Sequence, residues 1–355
     1  MKKKKLLVTG SCGLAGSEIV EHLCKDYDIV YGIDNNSRKQ FFGIEGDISK
    51  RKEYIIKNIS NYIHFNFDIR NRKKIYDLIE NIKPDCIIHC AGQPSHDLAA
   101  KIPFDDFDTN AVGTFNLLES ARKFCKDSPF IFLSTNKVYG DAPNHIKIKE
   151  LKQRYEINDK NYKHGISETL SVDQNTHSIF GASKLSADIM VQEYGRYFNM
   201  KTCCLRAGCI TGPNHSGVQL HGYLNYLVKI NIEKKLYTIF GYKGKQVRDN
   251  IHAKDLAMFI KYFINKPTRG EVYNIGGGIN NSISILEAFD LVHKISGIKM
   301  NYKLKSANRI GDHICYYSDL RKAKSHYPKW SIKISLNNMI SEITERYLRK
   351  KSDNS

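Results

Sequence analysis

Apolar residues in the first two-thirds of the chain fall into short continuous runs, separated by longer stretches in which they recur every three or four positions. Runs of this length, bounded by Gly, Asp or Pro, predict strands covered on both faces; the three-to-four repeat predicts helices with one buried stripe. Strands are expected at residues 6–9, 28–33, 62–67, 85–92, 130–134 and 202–206, and helices at 14–23, 75–82, 105–124 and 180–198. The polar, basic stretch from Asn35 to about Ser60 predicts a loop with one short helix. Regular alternation of strand and helix predicts a parallel sheet wound on both faces, with ligands at the carboxyl ends of its strands. Beyond residue 206 the pattern mixes helices (223–234, 255–266, 283–296, 336–350) with strands at 237–240 and 273–278. The expected organisation is an α/β chain: a doubly wound domain over residues 1–205, to which 248–276 return, and a smaller mixed α/β lobe from 206–247 and 277–355. A length of 355 residues suits a large core with such a lobe.

The first apolar run leads into Thr9-Gly10-Ser11-Cys12-Gly13-Leu14-Ala15-Gly16, three glycines spaced three apart before an amphipathic stretch. This is the pattern of a strand, a tight turn and a helix whose first-turn N–H groups face an anion. Gly10 serves the turn, Gly13 the approach of a pyrophosphate, and Gly16 the close packing of helix on strand. Asp34 ends the second strand eighteen residues past Gly16. A carboxylate there accepts ribose hydroxyls and repels a 2′-phosphate, so NAD is expected rather than NADP, with Arg38 the one feature pointing the other way. Asp68, after the third strand, is placed either to take an adenine amino group, with Ile69 against the ring, or to cap the helix that follows. Cys90, Ala91 and Gly92 are small enough for the middle of a cofactor to lie on the backbone.

The formal charge of +18 comes from lysines spread along the whole chain, which predicts a solvated basic surface rather than a specific nucleic-acid face. The Lys-rich start does not read as a secretory leader, because Thr9, Gly10, Ser11 and Gly13 interrupt the apolar run. No run approaches a membrane span, and no membrane partner is expected. Nine cysteines, mostly inside apolar strands, suit reduced thiols in a cytoplasm, and none has a zinc-type partner set, so no metal is expected.

Ser134-Thr135-Asn136-Lys137-Val138-Tyr139-Gly140-Asp141 ends the fifth strand, and Phe180-Gly181-Ala182-Ser183-Lys184 opens a helix about forty residues later. With Asp34-Asn35-Asn36-Ser37-Arg38-Lys39, Ala91-Gly92-Gln93, Gly244-Lys245-Gln246-Val247-Arg248-Asp249 and Asn274-Ile275-Gly276-Gly277, these pieces give the chain a family resemblance. It resembles the extended short-chain dehydrogenases/reductases that modify nucleotide-sugars, and among them the CDP-tyvelose 2-epimerases. The resemblance implies a Rossmann domain, tightly held NAD, and transient oxidation of a sugar hydroxyl followed by hydride return. It implies cofactor contacts from Gly10, Cys12, Gly13, Leu14, Ala15 and Gly16, from Asp34, Asn35, Ser37 and Arg38, and from Asp68 and Ile69. Cys90, Ala91, Gly92, Gln93, Asn110, Ser134 and Lys184 complete that set.

Family members use a Ser or Thr hydroxyl at Thr135 and a Tyr four residues before Lys184. That Tyr position is Phe180 here, which removes the usual proton acceptor. Cys209, His177, Lys137, Tyr139 and Lys184 are the replacement bases to consider. Nucleotide-sugar contacts are expected from Lys137, Tyr139, His177, Asn214, Arg248 and Arg309, the two arginines for the pyrophosphate; Arg248 paired internally with Asp249 is the alternative. The segment 144–178 could bring His164, Glu168, Asp173 and His177 to the sugar. Dehydratases of this branch are expected to carry an Asp-Glu pair where Asn136-Lys137 stand, so dehydration ranks low. Three functions stay open: a nucleotide-sugar epimerase with a CDP-sugar favoured, a 4-epimerase or reductase, and a silent NAD-binding protein that senses cofactor or binds RNA. The helices at 105–124 and 180–198 resemble a four-helix dimer interface, so a homodimer or homotetramer is expected.

Overall fold

The computed structural model describes residues 3–215, 217–218, 221–306 and 311–352, with side chains to 349. Seven strands form its central sheet: β1 (Lys5–Thr9), β2 (Ile29–Ile33), β3 (Tyr62–Phe65), β4 (Cys86–His89), β5 (Phe130–Thr135), β6 (Thr202–Ala207) and β7 (Glu271–Ile275). All pair in parallel, in the order β7-β6-β5-β4-β1-β2-β3. Alternate residues of a strand face opposite sides. Leu6 and Val8 of β1 accordingly enter one core, with Ile19, Val20 and Phe259, while Leu7 enters the other, with Ile79 and Leu117. The strand order reverses between β1 and β4, and the crevice that opens there is where such sheets take ligands.

Four helices matter to the site or to the packing around it: α1 (Leu14–Leu23), α2 (Gly113–Phe124), α3 (Ile179–Tyr197) and α4 (Ala253–Asn265). The stretch predicted as one helix at 105–124 starts at Pro103 and passes through a π-type turn, Asp108–Val112, before α2. Such turns interrupt the regular ladder and often mark functional positions; this one carries Asn110. His89 is fully buried and ties the layers together, with Nδ1 2.6 Å from Thr9 Oγ1 and Nε2 2.9 Å from Thr114 Oγ1. Burial holds its pKa well below the usual histidine value.

The smaller lobe has its own core, where Leu224, Leu227, Tyr237, Ile283, Phe289 and Ile340 meet. The returning segment differs from expectation at its start. Val247–His252 pairs with Cys209–Thr211 and with Ser282–Ser284 in a small separate sheet, and α4, packed on α1, is the first element back in the large domain. The stretch after Asn35 holds two helices, Ser37–Phe42 and Ser49–Asn58, rather than one. Within 144–178 a hairpin joins Ile148–Glu150 to Tyr155–Ile157. Asn301–Lys305 pairs in parallel with Leu236–Phe240; all five of its residues are exposed, so its Tyr302/Leu304 alternation buries no face.

Candidate active site

One cavity of about 490 Å3 runs from the first glycine turn, past the ends of β4 and β5, into the lobe. At the β1 end the backbone shapes it. Gly10 has φ +63°, and a Cβ there would lie 2.7 Å from Ala91 N; a Cβ on Gly16 would lie 2.0 Å from Gly10 O. Both glycines are required by protein contacts alone. Gly13 is different: a Cβ there would meet only Gly10 O, at 3.4 Å, and otherwise project into open space. The N-cap Gly13 supplies no side-chain bond to α1 and the first turn carries no acidic residue, so the N-terminal dipole of α1 is left for an outside anion. Leu14 and Ala15 line the cavity beside it, whereas the Cys12 side chain is buried beneath and only its N–H serves the site.

That N–H donates to Asp34 Oδ2 at 3.0 Å, and Asn36 N donates to Oδ1 at 2.9 Å. Each carboxylate oxygen keeps a lone pair for a ribose hydroxyl. Burial raises the Asp34 pKa against these stabilising bonds. Arg38 sends its Nη1 to His221 Nδ1 of the lobe, 3.1 Å away, and stacks on Phe42. Asn35 Nδ2 donates to Asp68 Oδ2 at 3.2 Å while its Oδ1 takes Ser37 N at 3.1 Å. Burial works against ionisation of Asp68, but the bonds from Arg70 prevail and hold its pKa below the usual value. The helix after β3 is capped by Asn71, not by Asp68, and the Asp68 side chain faces the cavity edge with Ile69. Gly113 makes room for Ile69, whose Cδ1 would lie 2.6 Å from a Cβ there.

Beyond β4, Cys90, Ala91, Gly92 and Gln93 line the middle. Asn110 staples this loop, accepting from Gln93 N at 2.9 Å and donating to Ser183 Oγ of α3 at 3.1 Å. Asp106, fully buried, completes the staple through Gln93 Nε2 at 2.7 Å and the Ser183 hydroxyl. Burial raises its pKa. Nothing in local sequence singled out Asp106; its place four residues before Asn110 was the available signal. These features fit NAD: an open helix N-terminus, a carboxylate positioned by two backbone N–H groups with lone pairs left for the ribose, and a small-residue floor.

Thr135, Phe180 and Lys184 line the cavity together at the ends of β5 and α3. Ser178 caps α3, accepting from Gly181 N at 3.1 Å, which fixes the helix start. Lys184 donates to Leu133 O at 2.8 Å, its Nζ 4.1 Å from the Phe132 ring centre, and burial lowers its pKa to about 8. Thr135 Oγ1 accepts from Lys137 N at 3.2 Å. The Ser134 hydroxyl is turned to Asp188 at 2.6 Å, so only its backbone is available to a ligand.

On the lobe side, Arg248 Nη2 lies 2.7 Å from Asp312 Oδ1 and Lys137 Nζ 2.9 Å from the same oxygen. Arg248 therefore pairs with Asp312, a residue the sequence reading missed, and not with Asp249, whose carboxylate takes the N–H groups of Gly278 and Ser318. Asn214 and Cys209 also line the cavity, and burial pushes the Cys209 thiol up to about 12, which disqualifies it as a base near neutrality. Arg309 lies outside the described residues.

Two expected contacts are corrected. Tyr139 is fully buried with its hydroxyl on Asn274 Oδ1 at 2.8 Å, a core residue away from the cavity. His177 is also off the cavity lining, with its ring nitrogens 2.9 Å from Asn175 O and 2.8 Å from Val138 O. Of the other residues of 144–178, His164 and Asp173 are exposed and Glu168 accepts from Asn274 N, so none of them lines it.

Residues 6–276 match the family model of the NAD dependent epimerase/dehydratase family. The chain belongs to that family. This epimerase/dehydratase chain is 33% identical to the CDP-paratose 2-epimerase of Salmonella typhi, over 93% of its own length and 95% of that protein. It is 30% identical to a dTDP-glucose 4,6-dehydratase of Salmonella typhimurium, over 77% of its own length and 72% of that protein. Among solved structures, the UDP-glucuronic acid 4-epimerase of Bacillus cereus, in complex with UDP-glucuronic acid and NAD, is 26% identical. It superimposes with a TM-score of 0.79, covering 98% of this chain and 99% of that one.

Proposed function

We propose that this family member is an NAD-dependent nucleotide-sugar epimerase, with a CDP-sugar as substrate, and that it oxidises a sugar hydroxyl transiently and then reduces the ketone from the other face. The observation that carries this reading is the continuity of one cavity, from the glycine turn through Thr135 and Lys184 to Arg248 in the lobe. NAD, when bound, takes up and returns the hydride. The chain's own residues do the rest. Gly10, Gly13 and the start of α1 seat the pyrophosphate; Asp34 holds the adenosine ribose; Lys184, reaching past Gly92, holds the nicotinamide ribose. Thr135 orients the reacting oxygen, and Lys137 and Arg248 meet the substrate's phosphates. Dehydration is disfavoured despite the dehydratase relatives, because Asn136 and Lys137 supply no carboxylic acid where a proton donor to the departing hydroxyl would stand. The nearby carboxylate of Asp312 is engaged by both Lys137 and Arg248. The likeness to the CDP-paratose enzyme favours cytidine as the base and C2 as the reacting carbon.

Exposed Phe104, Phe107 and Phe115 on the 103–124 helix, with Ile189 and Tyr197 on α3, support burial of this face against a second copy. A cytoplasmic homodimer is the assembly we infer, and sedimentation at monomer mass would refute it. The substrate test incubates the purified protein with CDP-, UDP-, GDP- and dTDP-hexoses and reads isomerised sugar by NMR. Turnover of the CDP-sugars alone is the expected result. Turnover confined to another base overturns the cytidine preference, and binding of NAD without turnover of any sugar overturns the enzymatic reading.

A further inference from the structure

The phenol that should take the sugar proton is absent at Phe180, and the groups first considered for its role fail on geometry or charge. Tyr139 and His177 lie off the cavity. Lys137 is tied as a cation to Asp312, and the Cys209 thiol stays protonated at neutral pH. Lys184 is spent on Leu133 O and on the ribose role assigned above.

One imidazole has none of these disabilities. His96 lines the same cavity as Thr135, Lys137 and Phe180, with its side chain 16% exposed. Its Nε2 is buried and has no hydrogen-bond partner among the described residues. Asp97 Oδ1 is 4.0 Å from the opposite nitrogen, Nδ1. A buried ring nitrogen without a partner carries an uncompensated desolvation cost, which a ligand hydroxyl would relieve. The position is fixed on both sides. Ser95 caps the short helix His96–Ala99, accepting from Leu98 N at 3.2 Å, and the loop before it passes Gly92, where a Cβ would stand 3.9 Å from Lys184 Nζ. On the other side, a Cβ on Gly311 would lie 3.0 Å from His96 Nε2 and 3.7 Å from Ser178 Cβ. The free nitrogen thus stands beside the start of α3, two residues before Phe180. Gly311 O in turn lies 3.2 Å from Lys137 Nζ.

We propose that His96, through Nε2, is the catalytic proton acceptor and donor that replaces the missing tyrosine. The step rests on the epimerase reading above. The sugar O–H bond breaks and its proton passes to Nε2 as the C–H hydride leaves for the oxidised nicotinamide and the C=O bond forms. When hydride returns to the other face of the ketone, the imidazolium gives the proton back to the same oxygen, so each turnover leaves the histidine unchanged. An imidazole nitrogen can accept a hydroxyl proton and return it within one turnover.

The test compares wild type with His96→Gln and His96→Asn, each checked for an unchanged thermal melt, using the CDP-hexoses of the panel. Both variants should lose about 10²- to 10⁴-fold in kcat with KM within about threefold. Adding Phe180→Tyr to His96→Gln should restore at least about tenfold, since a phenol then stands where the family keeps it; a merely structural histidine would not be rescued this way. Independently of activity, the ¹⁵N-histidine NMR signal missing from His96→Gln should shift when CDP-glucose is added to the NAD-loaded protein. Activity of His96→Gln within about twofold of wild type, or failure of Phe180→Tyr to raise it, overturns the assignment. If wild type turns over no sugar, the epimerase reading fails by itself, and an unmoved His96 signal with bound CDP-glucose then overturns the role of His96 as well.

Discussion

The two ends of the cavity are built by different means. The cofactor end is mostly main chain: a glycine turn, a helix N-terminus and a small-residue floor, with the charged side chains of Asp34, Asp68 and Lys184 set along it. Its parts come from the ends of adjacent parallel strands, and the sheet's hydrogen bonds hold them in register. The substrate end is side chain. Lys137, Arg248 and Asp312 arrive from the end of β5, a small separate sheet and a late loop, and they meet in an ion-paired cluster. A site made of backbone tolerates almost no added volume, and a site made of side chains tolerates almost no lost charge.

The largest effect should come at the backbone end. Gly16→Ala forces a Cβ to 2.0 Å from Gly10 O, so it should destabilise the fold by about 3 kcal/mol and abolish NAD binding, read by urea unfolding and calorimetry. Arg248→Ala should next remove about a hundredfold from kcat/KM for the nucleotide-sugar and leave NAD affinity within about twofold, since it breaks charge-assisted bonds only at the far end. Equal losses for both ligands would dissolve the contrast. Gly13→Ala sharpens it most cleanly. The added methyl meets protein only at 3.4 Å, so stability should stay within about 1 kcal/mol while NAD affinity falls about tenfold or more. Loss of stability without loss of affinity would show that this glycine serves the turn and not a ligand.

The smallest effect is a pH dependence at the junction of the two ends. Burial lowers the Lys184 pKa to about 8, against about 10.4 in an unfolded chain. Below pH 8 both states hold the proton and the folded state bears the full cost of a buried ammonium. Between about pH 8 and 10.4 the unfolded chain binds the proton more fully than the folded one, so the contribution of Lys184 to stability rises with pH across that window. Urea midpoints of wild type and Lys184→Met at about pH 7.5 and 9.5 should converge upward for the wild type. A gap that stays constant would place Lys184 in a more solvated setting.

Much of this was legible in the residues themselves. The glycine turn, the Asp34 that ends the second strand and the alternation that built the sheet depend on short-range spacing, which sequence displays directly, whereas Thr135 and Lys184 were marked only by the family resemblance. The meeting of Lys137 with Asp312 and the removal of Tyr139 and His177 from the cavity depend on segments 39 or more residues apart, and the burial of Asp106 beside Asn110 draws in Ser183 from α3. Local pattern says which face of a strand or helix is apolar, but not which distant polar group that face will find. The exposed Asn301–Lys305 strand shows the same limit, since it is held by pairing with Leu236–Phe240 and carries no buried stripe. Sequence alone determined the scaffold and its glycine turn, because backbone geometry is a local property. The tertiary structure decided which charges face each other across the cleft and which buried nitrogen is left without a partner, because those outcomes rest on contacts that exist only once the chain has closed.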